Sequence, residues 1–177
     1  TLGQSISGLT AGTYTMQVTD DNTCLQTQTV TITQPTAALS VSVSATAASC
    51  FGDANGTTSS VATGGTTPYN FTWMPGNISG QNIGGLAAGT YTVDVVDFNG
   101  CTTSNSISVT QPPVLSLTTS NNNSTCGNSN GTASVSVSGG AGGYTYFWTP
   151  GNQSTAIISG VAAGTHSVLV TDANNCT

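Results

Sequence analysis

The stretch AGTYTVDVVDFNGC, residues 88–101, decides the fold. Tyr91, Val93 and Val95 alternate with Thr92 and Asp94, the two-residue period of a strand with one buried face. Asp97-Phe98-Asn99-Gly100 follows as a hairpin signal, because Asn and Gly tolerate positive φ. Cys101 then opens a second strand, in which Ile107 and Val109 alternate with Ser106, Ser108 and Thr110. The same sentence is written twice more, as AGTYTMQVTDDNTC from Ala11 and AGTHSVLVTDANNC from Ala163. A spacing of about 76 residues, held twice, marks a tandem array. Arrays of near-identical units build length or valency. They rarely build one active site.

Other fragments repeat in step. TITQP (31–35) recurs as SVTQP (108–112), CFGDANGT (50–57) as CGNSNGT (126–132), and PYNFTWMPGN (68–77) as GYTYFWTPGN (143–152). Boundaries fall after Pro35 and near Pro112–Pro113, since proline lacks the N–H a sheet ladder needs. Residues 1–35 are therefore read as the C-terminal part of one repeat. Residues 36–112 form a complete repeat, and 113–177 a repeat lacking its final strand. The complete repeat predicts six strands, at about 38–47, 57–64, 68–74, 80–86, 90–97 and 102–111, with a short extra one around 76–80. No segment keeps a helical period. The expectation is all-β: tandem immunoglobulin-like antiparallel sandwiches in a linear rod. The inward set is Tyr69, Phe71, Trp73, Leu86, Tyr91, Val93, Val95, Ile107 and Val109, with Trp148 at the place of Trp73 in the third copy.

Composition excludes several functions. The 177 residues contain no Lys or Arg, six acids and one His. Nucleic-acid binding needs cations against phosphate, and a polybasic membrane patch needs them against lipid. Neither is available. Charged residues make up 3% of the chain, against about a quarter in an ordinary domain. That balance, with no trypsin-type cleavage point, reads as extracellular. No stretch is long and apolar enough to span a membrane. The chain does not begin with Met, and the partial copies at both edges suggest a window on a longer secreted protein.

Five cysteines occur, Cys24, Cys50, Cys101, Cys126 and Cys176. A complete repeat owns two, one before its second strand and one opening its last. The spacing suits no zinc site, and an extracellular setting favours structural disulfides. Pairing within a repeat would give Cys50–Cys101 and Cys126–Cys176, with Cys24 paired outside the window. Each such loop would contribute about 4 kcal/mol. The competing arrangement depends on strand count. With seven strands in immunoglobulin order the two cysteines sit at opposite poles, and Cys50 would meet Cys176 of the next repeat. Free thiols are the third option.

Candidate chemistry is thin. Tyr14 and Tyr91 each open a strand after an Ala-Gly corner, as in the tyrosine corner of immunoglobulin-type sandwiches. His166 takes that place in the third copy and is read as structural, because the other copies lack it. Asp53-Ala54-Asn55-Gly56 begins like a calcium loop, but no Glu closes it. A turn is the better reading, so no cofactor is expected. Asp20, Asp21, Asp97 and Asp172 sit at hairpin ends, where carboxylates cap local N–H groups. No GxSxG elbow, base and acid come together, so no catalytic residue is assigned.

The copies resemble SprB repeats, the modules of very large gliding-motility adhesins of Bacteroidota. The resemblance rests on Cys50-Phe51-Gly52-Asp53-Ala54-Asn55-Gly56-Thr57, Gly64-Gly65 with Pro68-Tyr69, Trp73, Gly85-Leu86-Ala87-Ala88-Gly89-Thr90-Tyr91, Asp97-x-Asn99-Gly100-Cys101 and Thr110-Gln111-Pro112. The third copy departs from it at Gly127-Asn128 and His166. The resemblance implies a cell-surface filament exported by a type IX secretion system, which adheres to surfaces or polysaccharide. Its partners would be neighbouring repeats of the same chain. A multi-chain filament and a carbohydrate-binding module are the alternatives.

Overall fold

The structure, a computed structural model, describes residues 5–177. Strands and turns account for all its regular structure. The first copy contributes a two-stranded hairpin, β1 (Gly12–Thr19) and β2 (Leu25–Ile32), paired antiparallel from Gly12↔Ile32 to Thr19↔Leu25. Among the described residues no second sheet covers this hairpin, and Met16, Val18, Leu25 and Val30 are exposed.

The second copy forms a complete sandwich. Its strands are β3 (Ser40–Thr46), β4 (Gly56–Thr63), β5 (Asn70–Met74), β6 (Ile78–Ser79), β7 (Asn82–Leu86), β8 (Gly89–Val96) and β9 (Thr102–Val109). One sheet runs β3-β4-β7 and the other β6-β5-β8-β9, every pair antiparallel. The short β6 around residue 78 brings the count to seven, because Trp73 and Thr72 pair with Ile78 and Ser79. Alternation decides the inner face. Trp73, Val93 and Val95 are fully enclosed, with Val41, Ile83, Leu86 and Val109 around them. Trp73 satisfies its indole N–H on the Gly80 carbonyl at 3.0 Å, so a large ring is buried with no orphan donor. Tyr69 and Phe71 close one end edge-to-face at 6.4 Å.

The third copy repeats the plan with β10 (Ser116–Asn122), β11 (Gly131–Ser138), β12 (Thr145–Thr149), β13 (Ile157–Val161) and β14 (Ser167–Thr171). Its sheets are β10-β11-β13 and β12-β14. Trp148, Val135, Ile158 and Val170 form the core, and the Trp148 indole donates to Thr155 O at 2.9 Å.

Strand direction places the loops. β5 and β8 are antiparallel, so the turn after β8 lies at the end where β4 gives way to β5. The Cys50 corner lies at the opposite end, between β3 and β4. There β4 shifts register against β7 between Gly56 and Thr57, and β11 shifts against β13 between Gly131 and Thr132. The repeated Asn-Gly-Thr serves this bulge. A Cβ on Gly56 would stand 2.5 Å from Val109 Cγ1 and 3.0 Å from Leu86 O. The Val109 methyl crowds this position, and the Leu86 and Thr46 carbonyls close it from the backbone side.

Gly56→Ala is therefore expected to destabilise the second sandwich by about 1–3 kcal/mol through overpacking, read by urea denaturation. Gly84→Ala is the control, because a Cβ there meets Thr57 Cγ2 at an ordinary 3.5 Å. Equal effects of the two changes would refute this account of the bulge.

Candidate functional site

The corner before each long strand is made the same way in all three copies. Tyr14 Oη donates to Thr10 O at 2.8 Å, and Tyr91 Oη to Ala87 O at 3.1 Å. His166 Nε2 lies 3.1 Å from Ala162 O, the same fourth residue back. The imidazole thus takes the place of the phenol as a tie from strand to loop.

The hairpin that ends each long strand is built on an aspartate. Asp97 Oδ1 accepts from the amides of Asn99 at 2.9 Å and Cys101 at 2.8 Å, and Oδ2 accepts from Thr66 N at 2.9 Å. Asp172 does the same with Asn174 at 2.9 Å, Cys176 at 2.9 Å and Ala141 at 2.7 Å. Asp20 keeps the two local bonds, to Asn22 at 2.9 Å and Cys24 at 2.8 Å. With no Lys or Arg in the chain, backbone N–H groups are the counterpart of each buried carboxylate. Burial pushes the Asp97 carboxyl up, but the Thr66, Cys101 and Asn99 amides outweigh it and hold its pKa below the ordinary value. At Asp172 the Ala141 amide is the largest influence. Burial opposes it, the Cys176 and Asn174 amides add to it, and the pKa again falls.

Each aspartate therefore aims a cysteine outward from the hairpin tip. Cys176 is joined to Cys50, with Cα atoms 5.7 Å apart, while Cys24, Cys101 and Cys126 carry free, exposed thiols. The within-repeat pairing Cys50–Cys101 and Cys126–Cys176 is thus corrected. Cys101 and Cys126, expected in disulfides, are not in one here. The reason is strand length. Cys50 and Cys101 occupy opposite ends of one sandwich, and an eight-residue strand spans about 26 Å. A disulfide needs Cα atoms within about 7 Å. β9 runs back to the Cys50 end, and the short Gln111-Pro112-Pro113 link starts the third copy there. The hairpin end of the third copy then faces the corner of the second.

Polar contacts frame the bond. Asn174 Nδ2 donates to Ser49 O at 2.8 Å, and Cys176 Sγ lies 3.4 Å from the same oxygen. The corner is held from inside by Asn55 Oδ1, which accepts from Ser49 N at 2.8 Å, and by Gln111 Oε1, which accepts from Gly52 N at 2.8 Å. Gln111 was visible only as the middle of a repeated Thr-Gln-Pro. Its partner lies 59 residues away, so no local pattern could assign it. A pocket of about 310 Å³ sits beside the bond, between Phe51, Pro112, Leu115 and Asp172.

A larger cleft of about 630 Å³ lies between β10 and β14, lined by Leu117, Thr119, Ala133, Trp148, His166 and Val168. In the second copy β9 fills this position, and Asn105 Nδ2 reaches Val41 O across it at 3.0 Å. The cleft is shaped for a strand. Asp53, the start of the calcium-like loop, accepts from Asn55 Nδ2 at 3.3 Å inside its own turn. Among the described residues no three His, Cys, Asp or Glu side chains gather as a metal site, and no helix is long and apolar enough to cross a membrane.

The family model described as SprB repeat matches the chain twice, over residues 42–77 and 118–153. Each match runs from the first strand of a sandwich to the Pro-Gly-Asn turn after its tryptophan. No curated protein matches the chain.

The hairpin carboxyls make stability depend on acid. A carboxyl with a lowered folded pKa stabilises the fold above its unfolded pKa, and this is lost as pH falls through the folded value. Melting temperature is expected to stay level from neutral pH down to about pH 5 and to drop as pH passes below the ordinary Asp value of 3.8. Asp97→Asn with Asp172→Asn should lower it at neutral pH and flatten the acid limb. A wild-type curve level down to about pH 2.5 would contradict the role assigned to these groups.

Proposed function

The chain carries SprB-type repeats, and from that premise we propose that it is a non-catalytic stalk segment of a large secreted cell-surface adhesin. SprB repeats are a structural family found in surface proteins, so a surface adhesin-like repeat region is the starting point. Attachment to surfaces or polysaccharide, gliding motility and export by a type IX secretion system in Bacteroidota are the finer reading. Its support is the resemblance of the Cys-x-Gly-Asp-x-Asn-Gly-Thr and Gly-Thr-Tyr motifs.

The observation that carries the stalk reading is the covalent joint between successive sandwiches, Cys50–Cys176. A joint that ties the far end of one module to the near end of the next suits reach and stiffness. It adds a second covalent tether beside the Pro112–Pro113 link. The surface fits the same role, since Thr and Ser rows give solubility without charge and outward strand positions favour Thr.

The alternative is a multi-chain filament or sheath, because Val/Thr/Ser strands with no Lys on their edges pair with other chains unless those edges are covered. Electron microscopy of the purified protein separates the two. Thin single fibres support the stalk, and helical multi-chain symmetry sinks it in favour of the filament.

Force tests the joint directly. Pulled from its ends, the oxidised chain should pass load through β3 and the disulfide and leave residues 51–175 outside the load path. Reduction should then release 126 residues, or about 450 Å of extra contour at roughly 3.6 Å each. Equal contour lengths before and after reduction would remove the joint from the load path.

A further inference from the structure

We propose that one pairing rule runs along the repeat axis. The first cysteine of each repeat bonds the second cysteine of the repeat that follows. Cys24, Cys101 and Cys126 are then half-sites of the same joint, each shaped for the matching cysteine of an adjoining repeat. The proposal deepens the stalk reading and rests on the tandem order of the copies.

Both halves of the joint exist more than once with one geometry. On the hairpin half, Asp20 N, Asp97 N and Asp172 N donate to Cys24 O, Cys101 O and Cys176 O at 3.2, 3.0 and 3.0 Å. The residue before each cysteine has positive φ, 65° at Thr23, 82° at Gly100 and 65° at Asn175. The aspartate oxygen holds the cysteine amide at 2.8–2.9 Å in all three. Three cysteines are therefore presented alike, and only Cys176 has a corner in front of it. On the corner half, Asn55 Oδ1 holds Ser49 N at 2.8 Å before Cys50, and Asn130 Oδ1 holds Thr125 N at 2.9 Å before Cys126.

The asparagine two residues after the aspartate is a second, separate sign. At the formed joint Asn174 Nδ2 docks on Ser49 O. Asn22 and Asn99 hold the same position in the other hairpins. At the unformed joint Asn99 Nδ2 turns back to Thr66 Oγ1 at 2.9 Å. Each hairpin carries the docking amide as well as the thiol.

Forming each joint takes two thiols to one disulfide and releases two protons and two electrons. A disulfide oxidant such as oxidised glutathione accepts them and leaves as two thiols, through a mixed disulfide that the second cysteine displaces. The resulting loops overlap, because each bond encloses the first cysteine of the next. Every section of the rod would then be crossed by the backbone and at least one disulfide path. Pairing inside repeats would leave each link, such as 101–126, on backbone alone.

The test inserts a second copy of residues 36–112 after Pro112 in the full chain, marked by Phe51→Tyr and Thr102→Ser at exposed positions of the inserted copy. The protein is oxidised in a glutathione buffer, its thiols are counted, and it is cut without reduction by an Asp-directed protease and chymotrypsin. The rule expects one added disulfide and an unchanged three thiols. Cys50 should bond the inserted second cysteine, and the inserted first cysteine should bond Cys176. A bond from Cys50 to Cys101 of its own repeat, or inserted cysteines left as thiols, overturns the rule. Cys101→Ser in the parent chain keeps the question open to disproof should the longer chain misfold. It should retain Cys50–Cys176 and lose one thiol only, and loss of that bond counts against the proposal. The map is read in vitro, so failure of the surface-adhesin reading would not disturb it.

Discussion

Two cysteines of one repeat stand a strand's length apart, and that separation governs the rest of the molecule. Antiparallel pairing of β5 with β8 sends the second cysteine to one end of the sandwich, while the β3–β4 connection keeps the first at the other. No side-chain adjustment closes a gap of roughly 26 Å. The bond must leave the repeat, so a local staple becomes a link between modules. A small sandwich needs some such support, because a unit of this size buries only about 60% of its unfolded surface.

Charge scarcity shapes how the joint is held. With no cation in the chain, the buried Asp97 and Asp172 draw on amide groups of their own turn and of the neighbouring loop at Thr66 and Ala141. This ties two loops at the same end of each sandwich into one surface. The Tyr69 and Tyr144 hydroxyls donate to Gly64 O and Gly139 O in that same end. The tip that presents a cysteine is therefore braced by a carboxylate and by a phenol. The opposite end is braced by amide side chains, Asn55 and Gln111.

Much of this was legible in the order of residues. Period-two alternation locates six strands of the second copy to within a few residues, because a half-buried strand leaves a direct mark on sequence. It placed Trp73, Val93 and Val95 inside. It also pointed to the Tyr91 corner and the Asp97 turn, since both are local contacts across four residues or fewer. The sequence pattern starts β3, β5 and β7 about two residues before the strands at Ser40, Asn70 and Asn82. Pro68 and Gly80 belong to turns there, and Tyr69 is engaged by Gly64 O rather than by a ladder. Gln111 and Asn174 escaped notice because their partners lie 59 and 125 residues away.

The chain's residues alone determined that it is a tandem all-β array without cationic chemistry, because periodicity and composition are properties of the order of residues. They also left the cysteines three options: pairing within a repeat, pairing across repeats, and free thiols. Only the tertiary structure chose between them, since the choice depends on which end of a sandwich each cysteine occupies. That follows from strand direction and from the seventh strand, β6, which is two residues long and barely marked in sequence. Proximity of Cys50 to Cys176 is a property of two modules stacked end to end, because the two cysteines belong to different repeats.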